Sequence, residues 1–172
     1  MKFTPARPMQ AVCSPLCAIG MAEKKRKKAN EYVIRENRKA DAERKAALAT
    51  RSEILRAAQS AFNRYVRARD ADAPCISCGK HHQGQNHAGH YLSTGARPEL
   101  RFEELNVHKQ CQPCNTHLHG NLILYRKNLI EKIGLDRVEW LEGPHEPKKY
   151  TREELIDIKQ RYARMARELE KS

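Results

Sequence analysis

Cys75-Ile76-Ser77-Cys78 and Cys111-Gln112-Pro113-Cys114 are two Cys-x-x-Cys pairs with 32 residues between them. Each pair can present two thiolates to one metal from a tight knuckle, and two such pairs close a tetrahedral site. Gly79 after the first pair and Pro113 inside the second suit the sharp turns this requires. The competing readings are disulfides or unrelated thiols. Disulfides need an oxidising compartment, and no secretory signal is visible at the N-terminus. The spacing is of a recognised zinc-site type, and structural zinc is the expectation.

The stretch between the knuckles holds His81, His82, His87, His90 and His108, with His117 and His119 just beyond the second pair. A structural zinc ribbon needs no insertion so rich in histidine, so a second, open site is expected. His81 and His82 read as plain loop residues. His117 and His119 fall on the segment after Asn115, and for His119 a solvent-facing position is as good a reading as a site-facing one.

Asn86-His87-Ala88-Gly89-His90-Tyr91 lies between the knuckles, Asn106 stands five residues before Cys111, and Asn115 directly follows Cys114. This arrangement resembles the HNH, or ββα-metal, nuclease core, in its His-Asn-Asn variant. The zinc knuckles with an asparagine right after the last cysteine are similar to endonuclease VII, a phage resolvase of branched DNA. Over a longer stretch, Gly89 to Ser93, Leu100-Arg101-Phe102, Asn106 to Asn115 and Gly120-Asn121 resemble the NinG (Rap) family of lambda-type phages. So do Phe3-Thr4-Pro5 and Cys13-Ser14-Pro15-Leu16-Cys17. The resemblance implies a recombination protein, phage- or prophage-encoded, working in the cytoplasm of a bacterial host. It further implies cutting of branched DNA such as Holliday junctions and D-loops. It implies too that residues 1–22 are the remnant of an N-terminal Cys finger, which leaves the use of Cys13 and Cys17 open.

Hydrolysing a phosphodiester requires an activated water and neutralisation of developing negative charge. An imidazole suits the first task and a divalent cation the second. On the HNH resemblance, His90 is the general base, and Asn115 gives a carbonyl oxygen to a Mg²⁺ or Mn²⁺ ion, since hard cations prefer oxygen donors. Asn106 holds the loop and orients His90. In endonuclease VII-like sites an Asp precedes the catalytic His; here that residue is Gly89, which has no ligand to give. His108 or His87 is then the second metal ligand, with His108 slightly favoured. Arg97, Arg101 and Lys109 are candidate phosphate grips, with plain surface charge an equally good reading.

The chain of 172 residues carries 33 Lys and Arg against 21 Asp and Glu, a formal charge of +12. Such a surplus favours a polyanionic partner, DNA above all. Residues 23–70 hold 15 basic and 7 acidic side chains, so two thirds of the excess lies there. No Gly or Pro occurs between Gly20 and Pro74, and the stretch is rich in good helix formers. Its first half has little to bury; Lys24-Lys25-Arg26-Lys27-Lys28 reads as a solvated basic arm or, favoured here, as a phosphate-contacting one. In its second half Ile54, Leu55, Ala58, Phe62, Tyr65 and Val66 make a core-facing stripe.

Short strands are expected near Leu100–Phe102 and Leu105–His108, and a helix from Asn115 to Ile133 closed by an αL Gly134. Thr151 with Glu154 gives a capping-box pattern before a last helix faced by Leu155, Ile158, Tyr162, Met165 and Leu169. No apolar run approaches the ~20 residues that span a bilayer. The expected fold is α+β and mainly helical: a small zinc-buttressed ββα-metal core flanked by a long basic N-terminal helix and C-terminal helices. The expected boundaries are 1–22 irregular, 23–73 basic helical, 74–134 nuclease core and 135–172 C-terminal helices. The rival from a different class is a non-catalytic zinc-stabilised DNA-binding accessory protein; a third option is an HNH enzyme cutting ordinary duplex. Paired cuts across a symmetric junction make a homodimer plausible.

Overall fold

Ser14 starts the first helix: its Oγ accepts the backbone N–H of Cys17, and Pro15 stands where a missing N–H costs nothing. A computed structural model describes residues 4–5, 8 and 12–171 of the chain. The helix α1 runs Pro15–Leu48, so it begins within the stretch expected to be irregular. Phe3 and most of residues 1–11 lie outside the described residues. The chain divides into two compact units, 1–49 and 50–172. The boundary thus cuts the basic helical stretch after Ala49, because its second half has a hydrophobic face and its first half has none.

No residue of α1 is buried. Lys24 to Lys28 are all exposed, as are Tyr32, Val33 and Ile34. Residues 1–49 hold 12 basic and 5 acidic side chains, so more than half of the surplus belongs to this unit.

In the second unit α2 (Arg51–Arg69) opens on a capping box of Thr50 and Glu53. It packs against α5 (Arg152–Leu169), whose own capping box is the expected Thr151–Glu154 pair. Phe62 meets Tyr162 edge-on at 4.7 Å and Phe102 at 5.6 Å, and Phe102 meets Tyr150 at 5.1 Å. Such ring pairs add about 0.5–1.5 kcal/mol each beyond area burial. Of the stripe expected on α5, Leu155 and Tyr162 are buried, while Leu169 is exposed.

The sheet is one antiparallel hairpin, β1 (Asn86–His90) with β2 (Val107–Cys111). Its register pairs His90 with Val107, Gly89 with His108, and His87 with Gln110. The strand expected at Leu100–Phe102 is instead part of a loop with two 3₁₀ turns, Pro98–Leu100 and Glu104–Asn106. The helix expected from Asn115 is also broken. A π-type turn, Pro113–His117, comes first, and positive φ at His119, Gly120 and Asn121 redirects the chain before α3 (Leu122–Ile133). Leu118 and Leu122 are therefore exposed, while Tyr125 and Leu129 enter the core with Ile76, Tyr91, Val138 and Leu141. Gly134 caps α3 with φ +90° and ψ 155°, a positive-φ cap without the αL value of ψ, and α4 (Leu135–Glu142) follows.

Candidate functional site

The four sulfurs of Cys75, Cys78, Cys111 and Cys114 lie within 4.8 Å of one another, three of the residues being buried. Cys78 Sγ is 4.0 Å from Cys111 Sγ, against an edge of about 3.8 Å for a tetrahedron of sulfurs 2.3 Å from zinc. The donor set therefore fits a structural metal such as zinc. Gly79, with φ +68°, closes the first knuckle by donating its N–H to the Cys75 carbonyl at 2.8 Å. Cys75 Sγ accepts the N–H of Cys111 at 3.3 Å, which joins the two knuckles. Burial pushes the Cys111 thiol up to about 12. Burial also opposes ionisation of Cys75, but the N–H groups around its sulfur outweigh it and lower that thiol. Cys13 and Cys17 stand apart from this cluster in the sequence, exposed, with sulfurs 3.2 Å from each other.

The hairpin stands directly on this base. His90 ends β1, and its Nε2 lies 3.0 Å from the carbonyl oxygen of Arg101. A carbonyl only accepts, so Nε2 carries the proton and Nδ1 keeps its lone pair. Burial, together with the nearby Arg101 charge, lowers the His90 pKa against the raising effect of that hydrogen bond. The ring is neutral at pH 7 and able to take a proton at Nδ1.

Asn106 is fully buried. Its Oδ1 accepts Leu92 N–H at 2.8 Å, while Nδ2 donates to the carbonyls of Leu92 at 3.0 Å and Leu100 at 3.2 Å. Its amide bonds the loop and not His90: Leu92 is two residues from His90, and Leu100 adjoins the Arg101 whose carbonyl meets the ring.

His108 is placed otherwise than expected. It is buried beside Asp70, with Nδ1 3.1 Å from Arg69 Nη2 and Nε2 3.1 Å from the Leu105 carbonyl. Both nitrogens are occupied, leaving no lone pair for a metal. The reason lies at the end of α2, where sequence spacing gives no hint of a partner. Asp70 lies 3.6 Å from His108, 3.4 Å from Lys132 and 2.9 Å from its neighbour Arg69, and it accepts the N–H of Lys109 at 3.0 Å. Burial raises its carboxyl, but His108 and Arg69 outweigh that and hold it well below the usual range.

The three candidate phosphate grips are also engaged by the fold. Arg97 donates to the carbonyls of Glu142 and Gly143, Arg101 to Gln59 Oε1 at 3.2 Å, and Lys109 to the Ala71 carbonyl at 2.6 Å. They act as braces between segments, whereas Lys24 to Lys28 of α1 are exposed.

Asn115 is half-buried within the π-type turn. That turn is pinned to the hairpin by Gln110, which the sequence did not single out. Gln110 is fully buried, and its Nε2 donates to the Gly120 carbonyl and to Ser77 Oγ, both at 2.6 Å. Gly120 in turn donates its N–H to the Cys114 carbonyl. The opposite atom, Gln110 Oε1, is buried with no hydrogen-bond partner among the described residues, as are His87 Nε2 and Asn86 Oδ1.

The family description "Bacteriophage Lambda NinG protein" matches residues 1–172. "Protein ninG" of Salmonella phage P22 and that of Escherichia phage lambda are each 41% identical over 181 residues, covering 99% of this chain and 89% of theirs. "Protein ninG" of Escherichia phage 933W is 46% identical over 129 residues, covering 75% of this chain and 64% of its own. No solved structure matches.

Proposed function

The chain belongs to the NinG family, and from that membership we propose that it is a metal-dependent endonuclease that hydrolyses phosphodiesters in branched recombination DNA within the phage's host. The observation that carries this reading is the state of His90. A backbone carbonyl at 3.0 Å from Nε2 fixes the tautomer, and burial keeps the ring neutral. No hydrogen bond occupies Nδ1 among the described residues, and a neutral imidazole with a free nitrogen is what a general base requires. Asn106 is a positioning residue that shapes the loop bearing Arg101. Asn115 would give its side-chain carbonyl oxygen to the divalent ion. When bound, that ion supplies neutralisation of charge on the phosphate and leaving oxygen.

In this reading His90 Nδ1 takes the proton from the attacking water, and the four-cysteine knuckle keeps hairpin and turn in register. The preference for branched substrates rests on the NinG and endonuclease VII resemblance. The 12 basic side chains of residues 1–49 supply sequence-independent grip. They equally suit the rival, a zinc-stabilised binder of DNA that does not cut.

The two separate in one assay. Zinc-loaded protein is incubated with a four-way junction or a linear duplex of the same sequence, with Mg²⁺ or Mn²⁺, beside His90→Ala. Nicking of the junction by wild type alone supports the enzyme. Binding without nicking under either metal leaves the accessory-protein reading, and equal nicking of both substrates leaves an ordinary duplex endonuclease.

A further inference from the structure

We propose that His82 guards the four-cysteine knuckle: its Nε2–H donates to the metal-bound thiolate of Cys78, shielding that sulfur so that the metal is held against loss and chemical attack. The inference goes beyond the endonuclease reading and stands separately from it. It rests only on the knuckle binding a metal such as zinc.

Cys78 is the exposed corner of the cluster. Cys75, Cys111 and Cys114 are buried, whereas Cys78 is only partly so. The thiolate is the nucleophilic form of cysteine, so the sulfur that solvent can reach is the one that reagents reach first. His82 Nε2 lies 3.3 Å from this sulfur. A ring atom so close leaves no room for water or a reagent on that side of it.

His82 reads in the sequence as a plain loop residue, and the fold brings it back to the knuckle. Gly79, at φ +68°, turns the chain after Cys78, and the Cys75 N–H closes the turn on the Lys80 carbonyl at 3.0 Å. The segment leaving that turn returns residue 82 to Cys78. Its neighbour His81 is exposed, while His82 is half-buried.

The metal fixes the direction of the hydrogen bond. A thiolate bound to zinc has no S–H and only accepts, so Nε2 carries the proton. Four thiolates also outweigh the charge of one divalent ion, and N–H donors aimed at the sulfurs offset the surplus. Such donors recur around the cluster. Cys111 N–H meets Cys75 Sγ at 3.3 Å, the backbone N–H of Lys80 also meets Cys78, and Asn121 Nδ2 lies 3.6 Å from Cys114 Sγ. The second cysteine of each pair thus has a side-chain donor. Among the described residues the mutually close metal-ligating atoms are those of the four cysteines alone. His82 is therefore placed as a donor to a ligand, and not as a ligand itself. Partners of this kind orient the ligands, and losing one typically costs about 10–100-fold in metal affinity.

The test is zinc release from the full, zinc-loaded chain. N-ethylmaleimide is added, freed zinc is read with a chromogenic indicator, and the alkylated cysteines are identified by mass spectrometry, with the exposed Cys13 and Cys17 counted apart. Zinc affinity is measured by competition with a chelator. His82→Ala is expected to release zinc at least about tenfold faster, with Cys78 the first knuckle sulfur modified, and to bind zinc about tenfold more weakly. His82→Gln keeps a side-chain N–H donor and is expected to recover most of the difference. The thiolate-to-cobalt charge-transfer band of Co²⁺-substituted protein is the control, expected to be equal in wild type and both variants. Should His82→Ala lose that band, His82→Gln alone decides: release near the wild-type rate supports the proposal, and release tenfold faster overturns it. Wild-type release and affinity in His82→Ala overturn the proposal, as does a His82→Gln no better than His82→Ala. A charge-transfer band weaker in wild type than in His82→Ala makes His82 a ligand in place of Cys78 and also overturns it, as does a knuckle that takes up no zinc. None of these readings uses DNA, so the endonuclease reading stands or falls by its own assay.

Discussion

Asn106 and Leu92 are clasped at both ends of one side-chain amide, Oδ1 to Leu92 N at 2.8 Å and Nδ2 to Leu92 O at 3.0 Å. The pair closes the β1–β2 loop from inside, where no water can replace either bond. Asn106→Ala leaves one buried donor and two buried acceptors without partners, so a loss of about 2–4 kcal/mol is expected. Urea unfolding of zinc-loaded protein measures it; a change under about 0.5 kcal/mol would mean the loop is held by something else.

His90→Ala removes the candidate base and one hydrogen bond to the Arg101 carbonyl. Junction affinity and the thermal midpoint are expected to stay near wild type while cleavage falls at least about 100-fold. A variant that cleaves at half the wild-type rate would refute the assignment.

The pH dependence of cleavage follows from the same residue. A base works in its deprotonated form, and burial lowers the His90 pKa. The acid limb of single-turnover cleavage is therefore expected below the ordinary histidine value of about 6.5, with a plateau by pH 7. A limb centred above 7 would point to a different group.

Asp70 and His108 make the second unit acid-sensitive. The depressed Asp70 carboxyl contributes stability above its unfolded value of about 3.9, and that stability is lost as the pH falls through the lower folded value. His108, held neutral by burial, begins to oppose folding once the pH drops below about 6.5. Asp70→Asn is expected to cost about 3 kcal/mol at pH 7, with a penalty that shrinks toward pH 2. A penalty independent of pH would show that the carboxylate's charge is unimportant.

Replacing Lys24, Lys25, Arg26, Lys27 and Lys28 by Gln is expected to weaken junction binding and to lower the slope of log affinity against log salt by up to about 4. The single-turnover rate on saturating DNA is expected to stay unchanged. An unaltered slope would make α1's basic run a solvated surface.

How much of this is legible in the residues depends on range. The cysteine knuckles, the capping box at Thr151 and Glu154, and the apolar stripe from Ile54 to Val66 are local patterns whose geometry follows from spacing, and the structure has them in place. The start of α1 is harder to see, because Ser14 and Pro15 read as loop residues until their capping role is known. The helix after Cys114 reads as too long because the apolar period from Leu118 to Ile133 runs straight across Gly120-Asn121, where positive φ breaks the helix.

The sequence by itself determined the family, the four-cysteine cluster and the concentration of positive charge, since each is a matter of which residues occur at which intervals. Only the tertiary structure decided which histidines are available. His108 and His87 lie on the same face of one hairpin, yet His108 is closed off by Arg69 and the Leu105 carbonyl while His87 keeps an unpartnered nitrogen. A lone pair is free or taken according to what packs against it, and here the deciding guanidinium comes from the end of α2, 39 residues away along the chain.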